Sequence, residues 1–111
     1  MNRALGSLGL AMRSGRVVCG EENCEKLIKS GGAFLVLIDG AISAGSKKAV
    51  TDACAYRGVP YRILPEHALG AAIGRPGRMT AAVTDKAFAL RLSELLGPAD
   101  EIQTDMSIDR N

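Results

Sequence analysis

Apolar residues along this chain switch between two spacings, and each switch marks an element boundary. Leu5, Leu8 and Met12 fall three and four residues apart, the one-sided stripe of an amphipathic helix, which Ser14-Gly15 closes. Arg16 to Cys19 is a short β-branched run and predicts a strand. After Gly20 and the polar cluster Glu21-Glu22-Asn23, helical spacing returns with Cys24, Leu27 and Ile28, until Gly31-Gly32 stops it. Ala33 to Ile38 is apolar at every position, as expected of a central strand covered on both faces.

The loop from Asp39 to Ser46 is small and polar. Ser46 is the expected N-cap of a helix from Lys47 to about Arg57, with Val50, Ala53 and Cys54 as its buried stripe and Gly58 as its stop. Val59-Pro60 leads to a strand over Tyr61 to Leu64. Pro65 then suits the first turn of a short helix that faces Leu69, Ala72 and Ile73 inward. Gly74 to Gly77 is a loop bounded by Arg75 and Arg78. Met79 to Val83 is the last strand, and Thr84 is the expected cap of a final helix carrying Phe88, Leu92 and Leu95, ended by Gly97-Pro98. Alternation of about four strands with about five helices predicts an α/β fold, a three-layer α/β/α sandwich. Residues 1–97 form the expected domain. Residues 98–111 are expected to be an acidic, disordered tail.

Composition narrows this picture. The chain has 111 residues, one domain's worth, and no Trp, two Tyr and two Phe, so the core must be aliphatic. No apolar run approaches the roughly 20 residues of a membrane helix, and the first residues lack a signal-peptide pattern, so a cytoplasmic location is expected. The three cysteines, Cys19, Cys24 and Cys54, are expected as free thiols. The net charge is only +2, but Asp100, Glu101, Asp105 and Asp109 crowd the tail against Arg110 alone. The body is therefore more basic than the total suggests, which suits an anionic partner and equally an ordinary soluble surface.

Candidate chemistry is sparse. Cys19 and Cys24 lack the close Cys-x-x-Cys spacing of zinc ribbons, His67 is the one histidine, and neither a metal nor a cofactor is expected. A triad assembled from Ser43, His67 and Asp39 has nothing in the sequence to tie it together, so no enzyme is expected. The glycines of Gly6-Ser7-Leu8-Gly9 lie inside a helical stripe and not after a strand, which argues for close helix packing and against a phosphate loop.

The junction at Gly20 is the richest segment. A glycine lets backbone approach a ligand, and the helix beginning there points N–H groups and its positive dipole end outward. Glu21 stands at that helix start. Glu22 and Asn23 can accept hydrogen bonds from base edges, and Lys26, one turn on, can reach phosphate or the guanine acceptors. The plainer reading is that acidic residues in a first turn merely complement the helix dipole.

Segments in order carry a resemblance. Leu8-Gly-Leu-Ala-Met-Arg-Ser-Gly15, Val17-Val-Cys-Gly-Glu-Glu-Asn23, Ala33 to Ile38, Ser46-Lys-Lys-Ala-Val50, Gly58-Val-Pro60 and Leu69-Gly-Ala-Ala-Ile-Gly-Arg75 resemble the ribosomal-protein family of kink-turn RNA binders, the L-seven-Ae and L-thirty-e group, across residues 1 to 97. The resemblance implies a four-stranded mixed sheet and binding to RNA bent at a bulge flanked by sheared G·A pairs. The family's Gly-x-Asn-Glu-x-x-Lys motif matches at Gly20 and Lys26, while Glu22-Asn23 reverses the middle pair.

It also implies a second contact region at Arg75 to Ala82. There Met79, Thr80 and Ala81 would pack on a flipped-out nucleotide, and Arg75 and Arg78 would lie near phosphate. Ser43 and Ser46 to Lys48 would form a third edge, with Lys47 and Lys48 as further phosphate neutralisers. The implied partner is structured RNA, ribosomal or ribonucleoprotein-associated, bound by a monomer. The competing class is a protein adaptor of the translation or transcription machinery. Its mark would be partner binding that survives Lys26→Ala and depends little on salt.

Overall fold

This computed structural model describes residues 3–97. The acidic segment 98–111 lies outside them. The order of elements is α1 (Arg3–Arg13), β1 (Val17–Cys19), α2 (Glu21–Ser30), β2 (Leu35–Asp39), α3 (Ala44–Arg57), β3 (Tyr61–Leu64), α4 (Ala68–Ile73), β4 (Thr80–Val83) and α5 (Lys86–Leu96). The strands form one mixed sheet in the order β1-β4-β2-β3. β2 and β3 are parallel, as their connection through α3 requires, while β4 runs antiparallel to both β1 and β2.

Period-two alternation along the sheet builds two cores. Leu35, Leu37, Ala81 and Val83 face α1, α4 and α5, where Leu8, Leu69, Ile73 and Leu92 fill the space. Val36, Ile38 and Ala82 face α2 and α3, against Cys24, Ile28, Val50 and Cys54. The α/β/α sandwich expected from the alternation is what forms. Gly9 is buried where α1 meets α4, and a Cβ there would stand 2.8 Å from the Ala72 carbonyl oxygen. Close helix packing is therefore the role of Gly9, whereas Gly6 is exposed with open space where a Cβ would stand and does not share it.

Several boundaries differ from expectation, each for a local reason. α3 begins at Ala44, not Lys47, because Ser43 is the cap: its hydroxyl accepts from Ser46 N at 3.3 Å. α5 is capped by Asp85, not Thr84, through a carboxylate bond from Phe88 N at 2.9 Å. Its buried stripe is Ala89 and Leu92, with Phe88 only partly covered. α4 begins at Ala68, so Pro65 lies in the turn before the helix. β2 is shifted toward Asp39, which pairs with Leu64, and Phe34 stays exposed outside the strand. In α3 only Val50 and Cys54 are fully buried, with Ala53 at the margin.

Candidate nucleic-acid interface

The sheet delivers three loops to one end. Gly20 follows the end of β1, and its N–H donates at 3.0 Å to the carbonyl of Thr80, the first residue of β4. Asp39 N, at the end of β2, donates to the Met79 carbonyl at 2.8 Å, which brings the loop before α3 alongside. Between these loops lies a groove of about 340 Å³, lined by Gly20 and Glu21 from the α2 start, Ile42, Ser43 and Ser46 from the α3 start, and Gly77 to Thr80.

Gly20 has φ 106 and ψ 138, a conformation essentially restricted to glycine. It is the residue before α2 and brings no side chain to cap the first-turn N–H groups. A Cβ there would sit 3.4 Å from Arg78 Nη1 and 3.7 Å from Asn23 Nδ2, so the arginine and the amide flank the glycine. Asn23 Nδ2 donates back to the Cys19 carbonyl at 3.3 Å. That occupies its donor half and leaves the oxygen as the acceptor. Glu22 and Lys26 stand one turn apart on the exposed side of α2, at 4.0 Å, a spacing in water that adds little stability and leaves both available. Lys48 is tied to Asp52 at 2.9 Å, whereas Lys47 is exposed.

Of the expected residues, the groove brings together Gly20, Glu21, Ser43, Ser46, Arg78, Met79 and Thr80. Glu22, Asn23, Lys26, Lys47, Lys48 and Arg75 are exposed and do not line it. Ala81 requires correction. It lies inside β4, fully buried against the α1, α4 and α5 layer, and cannot offer its side chain to a nucleotide. Thr80 is also almost wholly enclosed and forms a wall of the groove. Ile42 and Gly77 line the groove but were not among the expected contacts. Ile42 is the one large apolar side chain in an otherwise small, polar loop, a signal that was available.

Asp39 braces this end. Its carboxylate is fully buried and accepts from Ala41 N (3.0 Å), His67 N (2.8 Å) and Leu69 N (3.0 Å). Burial pushes its carboxyl pKa up, but the three backbone donors outweigh that and hold it below its ordinary value. The histidine thus meets Asp39 through its backbone, not its imidazole. Among the described residues, no cluster of three or more His, Cys, Asp or Glu could hold a metal ion, and no helix is long and apolar enough to cross a membrane. Cys24 and Cys54 are buried free thiols whose pKa values burial pushes up to about 11 and about 12.

A sheet ordered β1-β4-β2-β3 between two helical layers, with a glycine-started helix at its loop-bearing end, places the chain in one class. Residues 2–92 match the Ribosomal protein L7Ae/L30e/S12e/Gadd45 family, and the chain belongs to it. Among individual proteins, it is 44% identical over 90 residues to RNA-binding protein YlxQ of Bacillus subtilis (strain 168), covering 80% of this chain and 90% of that protein. It is 33% identical over 95 residues to RNA-binding protein YlxQ of Enterococcus faecium, covering 85% and 91%. A solved structure of a protein of unknown function from Bacillus halodurans C superposes with a TM-score of 0.83 at 30% identity, over 86% of this chain and 98% of that one.

Proposed function

We propose that this protein binds RNA and takes no catalytic part, and that its target is a kink-turn or a similarly bent element of a ribosomal or ribonucleoprotein RNA. The observation that carries this reading is the convergence of the α2 start, the α3 start and the Arg78-Met79 loop on one groove. Membership of the family and the RNA-binding relatives support the same reading.

A regular A-form major groove is too narrow for side chains to read, and a kink opens it. The start of α2 enters the opened groove. Glu22 and the Asn23 oxygen accept from guanine N–H groups at the G·A pairs, with Lys26 on a guanine acceptor or phosphate. A flipped-out nucleotide packs on Met79 and Ile42, and Arg78, Arg75, Lys47 and Lys48 neutralise the crowded phosphates. The protein favours the bent RNA because only the bent form presents all these partners at once. It acts as a cytoplasmic monomer.

The test is a titration against a kink-turn RNA and a control whose G·A pairs are replaced by Watson–Crick pairs, at two salt concentrations. At least about ten-fold tighter binding to the kink-turn, roughly 1.4 kcal/mol, is expected. Equal, weak and strongly salt-dependent binding to both would leave only a basic body meeting a polyanion and would overturn the reading.

A further inference from the structure

Arg62 is the one cation among the described residues that the fold takes out of water, with 7% of its surface exposed. It sits on β3, the last strand in the sheet order, whose strand partner among the described residues is β2 alone. Its Nη1 donates to the Tyr61 carbonyl and its Nη2 to the Gly97 carbonyl, each at 3.1 Å. Its Nε is buried and has no hydrogen-bond partner among the described residues. Nor does Arg62 join their ion pairs, which link Arg16 to Asp85, Lys26 to Glu22 and Lys48 to Asp52. The buried carboxylate of Asp39 is committed to the N–H groups of Ala41, His67 and Leu69.

A buried guanidinium needs more than two carbonyls. The one at Gly97 closes the C-terminal end of α5, where a cation is favoured, but a helix end carries only about half a charge. That leaves a whole positive charge poorly balanced and Nε unmet, and both are costly away from water. We propose that the carboxylate of Asp100 is the missing partner, and that the chain beyond Gly97 turns back on the edge of β3 to pair it with the Arg62 Nε.

The local sequence suits that turn. Gly97 has φ 86 and ψ −160, so the chain leaves α5 through a conformation that glycine alone takes at low cost. Pro98 follows, the residue favoured at the second position of a β-turn, where its ring pre-sets φ. A β-turn over residues 97–100 holds its first and fourth Cα atoms within about 7 Å. Asp100 then comes back beside Gly97, whose carbonyl already meets the guanidinium. Arginine's planar fork of donors matches a carboxylate, and an ionised acceptor makes the stronger bond. The pair draws the first three residues of the acidic segment into the domain and ties the end of α5 to the edge strand.

The test uses the full chain. Urea unfolding at neutral pH is compared for the wild type, Asp100→Ala, Glu101→Ala and Glu94→Ala, Glu94 being an exposed acid near the end of α5. Asp100→Ala is expected to lower the folding equilibrium constant about ten-fold or more, and the two glutamate variants less than about two-fold. Arg62→Met removes the guanidinium, and adding Asp100→Ala to it is expected to change nothing further. A second readout does not need Arg62→Met to fold. The Arg62 Nε–H of the wild type is expected as a slowly exchanging NMR signal, which Asp100→Ala shifts and opens to exchange and Glu101→Ala leaves in place. The inference is overturned if Asp100→Ala keeps the wild-type midpoint and Nε–H signal, if a glutamate variant gives the loss instead, or if Asp100→Ala costs as much without the guanidinium as with it. None of these outcomes bears on the RNA reading, which the titration above tests separately.

Discussion

Asp39 sits fully buried with three backbone N–H groups around its carboxylate, two of them from the residues at the start of α4. Replacing it by alanine strands three buried donors, so Asp39→Ala is expected to cost about 3 kcal/mol or more, read as a lower urea midpoint. The pH dependence has a definite sign. The folded pKa lies below the ordinary value of 3.8, so the stabilisation is complete above about pH 4 and disappears as pH falls through the lower folded value. Asp39→Asn should flatten that acid limb. At Gly20, φ 106 forbids a side chain at low cost, and Gly20→Ala is expected to destabilise by about 1–3 kcal/mol and to weaken RNA binding more than its stability loss explains. Gly20 was legible in sequence because strand, glycine and helix are neighbours there. Asp39 was legible only as a loop residue, because two of its partners lie 28 and 30 residues away.

Among the elements, α3 shows what local pattern can and cannot settle. Two serines stand three apart at its start, Ser43 before the helix and Ser46 in its first turn, and by sequence alone both satisfy the cap rule. Tertiary placement selects Ser43, so Ser43→Ala should cost about 1 kcal/mol in thermal or urea unfolding while Ser46→Ala costs little. The α1–α4 crossing is the second case. Gly9→Ala drives a methyl into the Ala72 backbone, where no side chain can swing away, and a loss of about 1–3 kcal/mol is expected. That a glycine inside a helical stripe permits close packing could be read beforehand. Which helix it meets could not. The strands were legible because every second residue of β2 and β4 repeats one core face, and Ala81 was misplaced for want of that register: it is the residue between Thr80 and Ala82 on a central strand.

At the scale of the molecule, the groove joins loops far apart in sequence, and only family resemblance brought them together before the fold was known. Lys26→Ala tests the assembled surface. It should weaken binding to kinked and control RNA together and lower the salt slope by about one, if its contact is to phosphate, and lower the preference for kinked RNA if its contact is to guanine. The buried thiols report on the whole fold. Cys24 and Cys54 should resist alkylation near pH 8 until global unfolding. Because burial raises their pKa values, stability should fall as pH rises above about 9, where only the unfolded chain ionises them.

The pairing of β1 has one more consequence. Among the described residues its strand partner is β4 alone, at the opposite end of the sequence, and Gly20 is anchored on Thr80. During synthesis the helix that starts at Gly20 emerges early, yet the Thr80 anchor of Gly20 and the β4 side of its packing are missing until the last strand has left the ribosome. An unfinished copy therefore has no assembled groove to offer. Competence to engage RNA arrives in a single step with the final strand, and truncated copies that end before Thr80 cannot compete with complete ones for the target.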